Sequence, residues 1–143
     1  MYKIIPFLFL GNKNDAISVT SIDVDLVVNC TVDIPASTTL KTYRVAINDD
    51  DSDIITLFKL LPDAVDAIHT AITSNKKVLI HCKMGQQRSC TVIAAYLMFI
   101  HRDWTVENTI SFIKTKKPDA FFWKANFYET LTLWRTKIHL HSK

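Results

Sequence analysis

The stretch Val78-Leu79-Ile80-His81-Cys82-Lys83-Met84-Gly85-Gln86-Gln87-Arg88-Ser89 decides how this chain is read. Residues 78–80 are an apolar run of strand length. A loop then starts at Cys82 and reaches Arg88 after five intervening residues. The segment from residue 90 to about 102 reads as a helix. A loop of this length can curl so that its backbone N–H groups point inward, with the thiol at the bottom and the guanidinium on the rim. The helix behind it aims the positive end of its dipole at the same point. That arrangement is an anion cradle with a nucleophile inside it. Dipole and Arg88 both favour the thiolate. A thiolate in a phosphate cradle points to a cysteinyl-phosphate intermediate.

The rest of the chain fits one domain, residues 1–143, around one core. Hydrophobic residues make up 48%, which argues for a compact globule rather than disorder. A formal charge of +3 suits an anionic substrate near a positive pocket and falls short of a dedicated nucleic-acid binder. Three irregularly spaced cysteines form neither a disulfide framework nor a zinc pattern. Reduced thiols and a cytoplasmic or nuclear setting follow as the expectation. The apolar run at 4–10 contains Pro6 and is too short to span a membrane, and no small-residue cleavage site follows it.

Patterning outlines an α/β order. Residues 3–11 read as one or two short strands and 12–21 as a short helix. Residues 26–31 form a near-continuous apolar run, as a buried parallel strand does. Residues 43–47 read as another strand, 48–53 as an acidic loop, and 54–74 as a helix kinked or restarted at Pro62. The segment 91–100 is apolar almost all round, which predicts a buried helix. Thr105 reads as an N-cap, with Val106, Ile110 and Ile113 as the stripe behind it. Asn126 reads as a cap for a last helix with Phe127, Leu131, Trp134 and Ile138 on one face. The predicted fold is a single α/β domain, a central, mostly parallel, twisted sheet flanked by helices. The signature loop leaves the C-terminal end of a central strand.

His-Cys, five residues, then Arg-Ser is similar to the signature of cysteine-dependent protein tyrosine phosphatases. Ala95-Tyr96-Leu97-Met98 resembles the dual-specificity branch of that superfamily. Leu8-Phe9-Leu10-Gly11 with Asp15-Ala16 resembles its opening strand and first helix. Asp25-Leu26-Val27-Val28-Asn29-Cys30-Thr31 resembles its next core strand, and Lys117-Pro118 with Asn126-Phe127 its C-terminal turn and last helix. The resemblance covers nearly the whole chain.

The residue roles that follow are expectations. Cys82 is the nucleophile, and Arg88 grips two equatorial phosphoryl oxygens with its planar fork. Ser89 donates to the Cys82 sulfur and eases its departure, while His81 orients the loop. Lys83, Met84, Gly85, Gln86, Gln87 and Arg88 form the substrate-binding loop. Family members often carry Ala where Met84 stands and Ser where Gln87 stands, so this rim is expected to be bulkier. The resemblance also implies a general acid, an Asp on a separate upstream loop. Val45-Ala46-Ile47-Asn48-Asp49 resembles the strand ending in that residue and selects Asp49, with Asp50 and Asp51 as alternatives because other anchors shift the count. Lys114, Lys116 and Lys117 read as a solvated basic face, or less readily as a second phosphate site. Cys30 and Cys90 read as core; a protective disulfide between Cys30 and Cys82 is the weaker reading. Trp104, Trp123 and Trp134 read as core or near-core packing.

The function implied is hydrolysis of phosphotyrosine and phosphoserine or phosphothreonine in proteins, without metal or organic cofactor. The expected partners are phosphorylated proteins, with no membrane, with nucleic acid disfavoured, and with the chain a monomer or weak dimer. An RNA 5′-phosphatase or a phosphoinositide phosphatase would use the same cradle. Ser89-Cys90 in place of Thr-Gly, and a single loop lysine, weigh against these. A catalytically weak phosphoprotein-binding module is the third reading, disfavoured because Cys82, Arg88 and several Asp residues are all present.

Overall fold

The computed structural model describes residues 1–140. Among these residues five strands, β1 (Tyr2–Ile5), β2 (Leu8–Gly11), β3 (Leu26–Asn29), β4 (Lys41–Arg44) and β5 (Val78–His81), form one sheet in the order β1-β2-β5-β3-β4. The β1–β2 edge pair is antiparallel and the other three pairs are parallel. β5 is central, with Ile80 opposite Leu10 on one side and Val28 on the other. All four of its residues are buried, which accounts for a run without polar alternation.

Helix α1 (Lys13–Ser18) covers one face of the sheet. A small cluster of Val24, Val27 and Leu79 lies there, with Ala16 and Val19 against it. The other face carries α2 (Ile54–Thr73), α3 (Arg88–Ile100), α4 (Val106–Lys116) and α5 (Tyr128–Leu140) around the main core. α3 lies at its centre, every residue from Arg88 to Met98 buried. The Trp134 indole N–H donates to the Ala95 carbonyl at 2.9 Å, which locks α5 onto α3. Thr105 caps α4 through a reciprocal pair with Asn108, and Phe127, Leu131, Trp134 and Ile138 are buried, as expected.

Two expectations change and one narrows. Of the kink or restart expected at Pro62, the restart does not occur: α2 runs through Pro62 as one element. The missing proline N–H is tolerated because Leu57, Leu61, Ala64, Val65 and Ile68 bury the helix face around it. β4 ends at Arg44 rather than at residue 47. Its partner β3 ends at Asn29, so after the Val45 N–H reaches the Asn29 carbonyl at 2.8 Å no further strand remains to pair with. The chain nevertheless stays anchored, because Val45 and Ile47 are both buried. Trp123 is not core: it is 88% exposed and stands edge-on to exposed Phe122.

Candidate active site

The site is built where β5 ends and α3 begins. Cys82 follows β5 directly, and α3 starts at Arg88, so strand and helix fix both ends of the loop between them. Gly85 makes the curl possible. Its φ is +68°, and a Cβ there would lie 2.8 Å from the Gly11 carbonyl oxygen, so a side chain is excluded by conformation and by space. The Lys13 N–H donates to the Lys83 carbonyl at 3.1 Å, tying the loop to the start of α1. The Cys90 thiol donates to the Gly85 carbonyl at 3.4 Å from behind.

Cys82 and Ser89 meet across the loop, Sγ to Oγ at 3.1 Å, both buried. The Arg88 side chain, 8% exposed, sends Nη1 to the Ile47 carbonyl at 3.0 Å. Its Nε–H is buried and has no partner. A buried guanidinium N–H left open is a standing cost that an oxyanion would relieve. The N-cap of α3, Gln87, spends no side-chain hydrogen bond on the helix, so the first turn has no side-chain competitor for an anion. His81 is buried with Nδ1 3.4 Å from the Cys82 carbonyl, a loop-orienting position. Burial holds its imidazole below the ordinary value, which keeps it neutral. Burial pushes Cys90 up to about 12 and Cys30 well above its ordinary range, so both stay protonated near neutral pH. All three cysteines are free thiols.

The loop residues divide into two groups. Lys83 and Met84 are exposed at the mouth. Gln86 and Gln87 turn away from it. Gln86 Nε2 donates to Asp119 Oδ2 at 3.2 Å, and its carbonyl accepts the Phe121 N–H at 2.7 Å. Gln87 is buried; its Nε2 donates to the carbonyls of Phe121 (2.8 Å) and Lys124 (2.9 Å), and its Oε1 accepts the Asn126 N–H at 2.9 Å. The expectation that Gln87 adds bulk to the rim is therefore corrected: its amide is the peg on which the 121–126 segment hangs.

The acidic loop reaches the site through Ile47, two residues before Asp49. Its carboxylates differ in employment. Asp50 accepts from the Ser52 N–H (2.9 Å) and the Ser52 hydroxyl, capping the short turn Asp51–Asp53. Asp53 accepts the Asn48 N–H. Asp51 lies in that turn and is exposed. Asp49 is exposed and accepts one bond, from Asn126 Nδ2 at 3.3 Å. α5 starts at Tyr128, one residue later than a cap at Asn126 requires, and the Asn126 side chain reaches across to the acidic loop.

The lysine cluster dissolves into structural roles. Lys117 is buried and paired with Asp119 at 2.6 Å, Lys114 Nζ donates to the Ala120 carbonyl at 2.6 Å, and Lys116 lies over the Phe112 ring. Among the described residues no group of three or more His, Cys, Asp or Glu is placed to hold a metal.

Residues 8–137 match the family described as Dual specificity phosphatase, catalytic domain. The chain belongs to that family. The chain is accordingly a phosphatase of the cysteine-dependent class. The 123R protein of Invertebrate iridescent virus 6, named as a tyrosine phosphatase, is 34% identical over 129 residues, covering 90% of this chain and 87% of the viral one. The dual specificity protein phosphatase Mpk3 of Drosophila melanogaster is 33% identical over 126 residues, 82% of this chain but 30% of the fly protein. The crystal structure of human DUSP28 superposes with a TM-score of 0.87 at 26% identity, covering 99% of this chain and 100% of that one.

Proposed function

We propose that this phosphatase acts on phosphoproteins by two transfers at Cys82. The Cys82 thiolate attacks phosphorus, an S–P bond forms, and the P–O bond to the substrate oxygen breaks. That oxygen keeps the electron pair and takes the proton of Asp49. Arg88 and the loop N–H groups hold the equatorial oxygens as charge develops. Asp49, now a carboxylate, takes a proton from water while the water oxygen attacks phosphorus. The S–P bond breaks, the electron pair returns to sulfur with the Ser89 hydroxyl donating to it, and inorganic phosphate leaves.

The observations that carry this reading are the buried, unpartnered Arg88 Nε–H at the end of the loop and the Cys82–Ser89 contact of 3.1 Å across it. Asp49 is the preferred acid because Asp50 and Asp53 accept bonds within the loop, Asp51 lies in the exposed turn, and Asp49 accepts from the segment held by the signature loop. The names of the relatives favour protein substrates over RNA or inositol lipids. The test is hydrolysis of an aryl phosphate under reducing conditions without added metal, by wild type, Cys82→Ser, and Asp49→Asn, Asp50→Asn and Asp51→Asn. Loss of turnover in Cys82→Ser and a fall of about 10²-fold or more in Asp49→Asn alone is expected. Equal falls in all three Asp variants would remove Asp49 from the role.

A further inference from the structure

Gln87 and Asn126 connect two parts of the site that the chain sequence keeps far apart. The Gln87 side chain rises from the last residue of the signature loop before Arg88, and its Oε1 accepts the Asn126 N–H. The same amide's Nε2 holds the carbonyls of Phe121 and Lys124, on either side of the exposed aromatic pair. Phe121 and Phe122 have φ of +63° and +50°, a left-handed backbone that non-glycine residues keep only when the surroundings impose it. Gln87 helps to impose it here, together with the Gln86 carbonyl on the Phe121 N–H and Lys114 Nζ on the Ala120 carbonyl. Asn126, so placed, extends Nδ2 to Asp49 Oδ1. Asp49 otherwise stands on an exposed loop, where a carboxylate samples many rotamers.

We infer that Asn126, pegged by Gln87, is a positioning residue that sets the Asp49 carboxyl over the leaving-group side of the cradle. The inference rests on Asp49 being the general acid. The bond is made to Oδ1, which leaves Oδ2 free to carry the transferred proton. The nucleophile and its acid are then indexed to one side chain: Gln87 adjoins Arg88 in the chain and reaches Asp49 through a single residue. Asn126 touches neither substrate nor phosphorus. Its effect is confined to the step that needs the acid.

That confinement supplies the test. In kcat/KM, which reports cysteine phosphorylation, a phenyl phosphate needs protonation of its poor leaving oxygen, whereas 2,4-dinitrophenyl phosphate does not. Loss of a positioned acid therefore changes the ratio of the two. Asn126→Ala is expected to lose about 10-fold more on phenyl phosphate than on the dinitrophenyl ester, a misplacement effect smaller than removal of the acid itself. In an Asp49→Asn background the same change is expected to leave the ratio unaltered, because the two residues act as one unit. Asn126→Leu keeps the branched shape without the N–H donor if the alanine variant loosens the segment. Competitive inhibition by inorganic phosphate reads the cradle separately and stays within about 2-fold if only the acid has moved. A uniform loss on both esters, or a ratio change that persists in Asp49→Asn, overturns the positioning role. If Asp49→Asn itself shows no leaving-group dependence, the acid assignment falls and the inference with it. If Asp49→Asn shows the dependence and Asn126→Ala does not, the inference alone falls.

Discussion

Arg88 holds the end of the acidic loop through the Ile47 carbonyl, and in the proposed reaction the same guanidinium also keeps N–H donors for an oxyanion. A lysine could satisfy one of these and not both, since its ammonium has no planar fork. Arg88→Lys should therefore fold but lose about 10²-fold in kcat/KM, measured on an aryl phosphate. Ser89 faces the sulfur and nothing else that the reaction needs. Ser89→Ala should leave the rapid first burst of released phenol intact and slow the steady state, as seen by stopped-flow. His81 makes a prediction about stability. Its folded-state value lies below the ordinary 6.5, because burial disfavours the charged ring. Below pH 6.5 the unfolded chain then binds the extra proton first, so stability is fully present above that pH and declines as pH falls beneath it. Urea midpoints measured from pH 7.5 to 5 should fall in wild type and fall less in His81→Asn. The depressed Asp119 carboxyl adds its own decline only below about pH 3.8.

At the scale of elements, β5 and α3 were legible in the sequence because both are buried on all sides, and burial on every side is what an unbroken apolar run in a water-exposed chain requires. The cap at Thr105 was legible because capping chemistry is local. What the sequence could not reveal is where loop side chains turn. Nothing in the spacing of Gln87 distinguishes a residue lining the mouth from one reaching inward to three backbone groups of a segment more than thirty residues later. The one signal was that a large amide stands where the related family often has serine. Trp123 departs from its expected place for a general reason: aromatic residues are usually inside, but the rule runs one way, and exposed ones exist. Asp49, Asp50 and Asp51 could not be separated by counting, since three adjacent carboxylates fit any loop length within a residue or two; the proposal for Asp49 leans instead on its bond from Asn126 and on the commitment of Asp50 to the turn. The peg has a measurable weight. Gln87→Ala leaves two carbonyls and one N–H without their partner, and should lower stability in urea by about 2–4 kcal/mol.

The fold places Cys82 and Arg88 at the C-terminal end of the central strand of a sheet whose three inner strands are held on both faces, so the rigid part of the fold ends where the loop begins. No helix among the described residues is long and apolar enough to cross a membrane. A cradle built with an open buried donor should stabilise the entire domain once filled. Phosphate or vanadate at about 100 times its Kd should add about 2.7 kcal/mol, or about 5–10 °C in Tm for a chain of this size. In Arg88→Ala that thermal shift should vanish, which differential scanning fluorimetry would show. Substrate class is also a property of the whole surface, and a panel of phosphopeptide, triphosphate RNA and phosphoinositide should show turnover chiefly of the peptide.

The chain has two glycines, and they lie back to back: a Cβ on Gly85 would meet the backbone of Gly11, and a Cβ on Gly11 would lie 2.9 Å from Leu79 Cδ1. Gly11 stands beside the loop because β2 pairs with β5, opposite His81. The mould for the reactive loop is therefore closed only when those two strands, far apart in the chain, have met. A chain slow to complete that pairing, such as Gly11→Val, should lose Cys82 to oxidation more readily while it is being made than the native chain does.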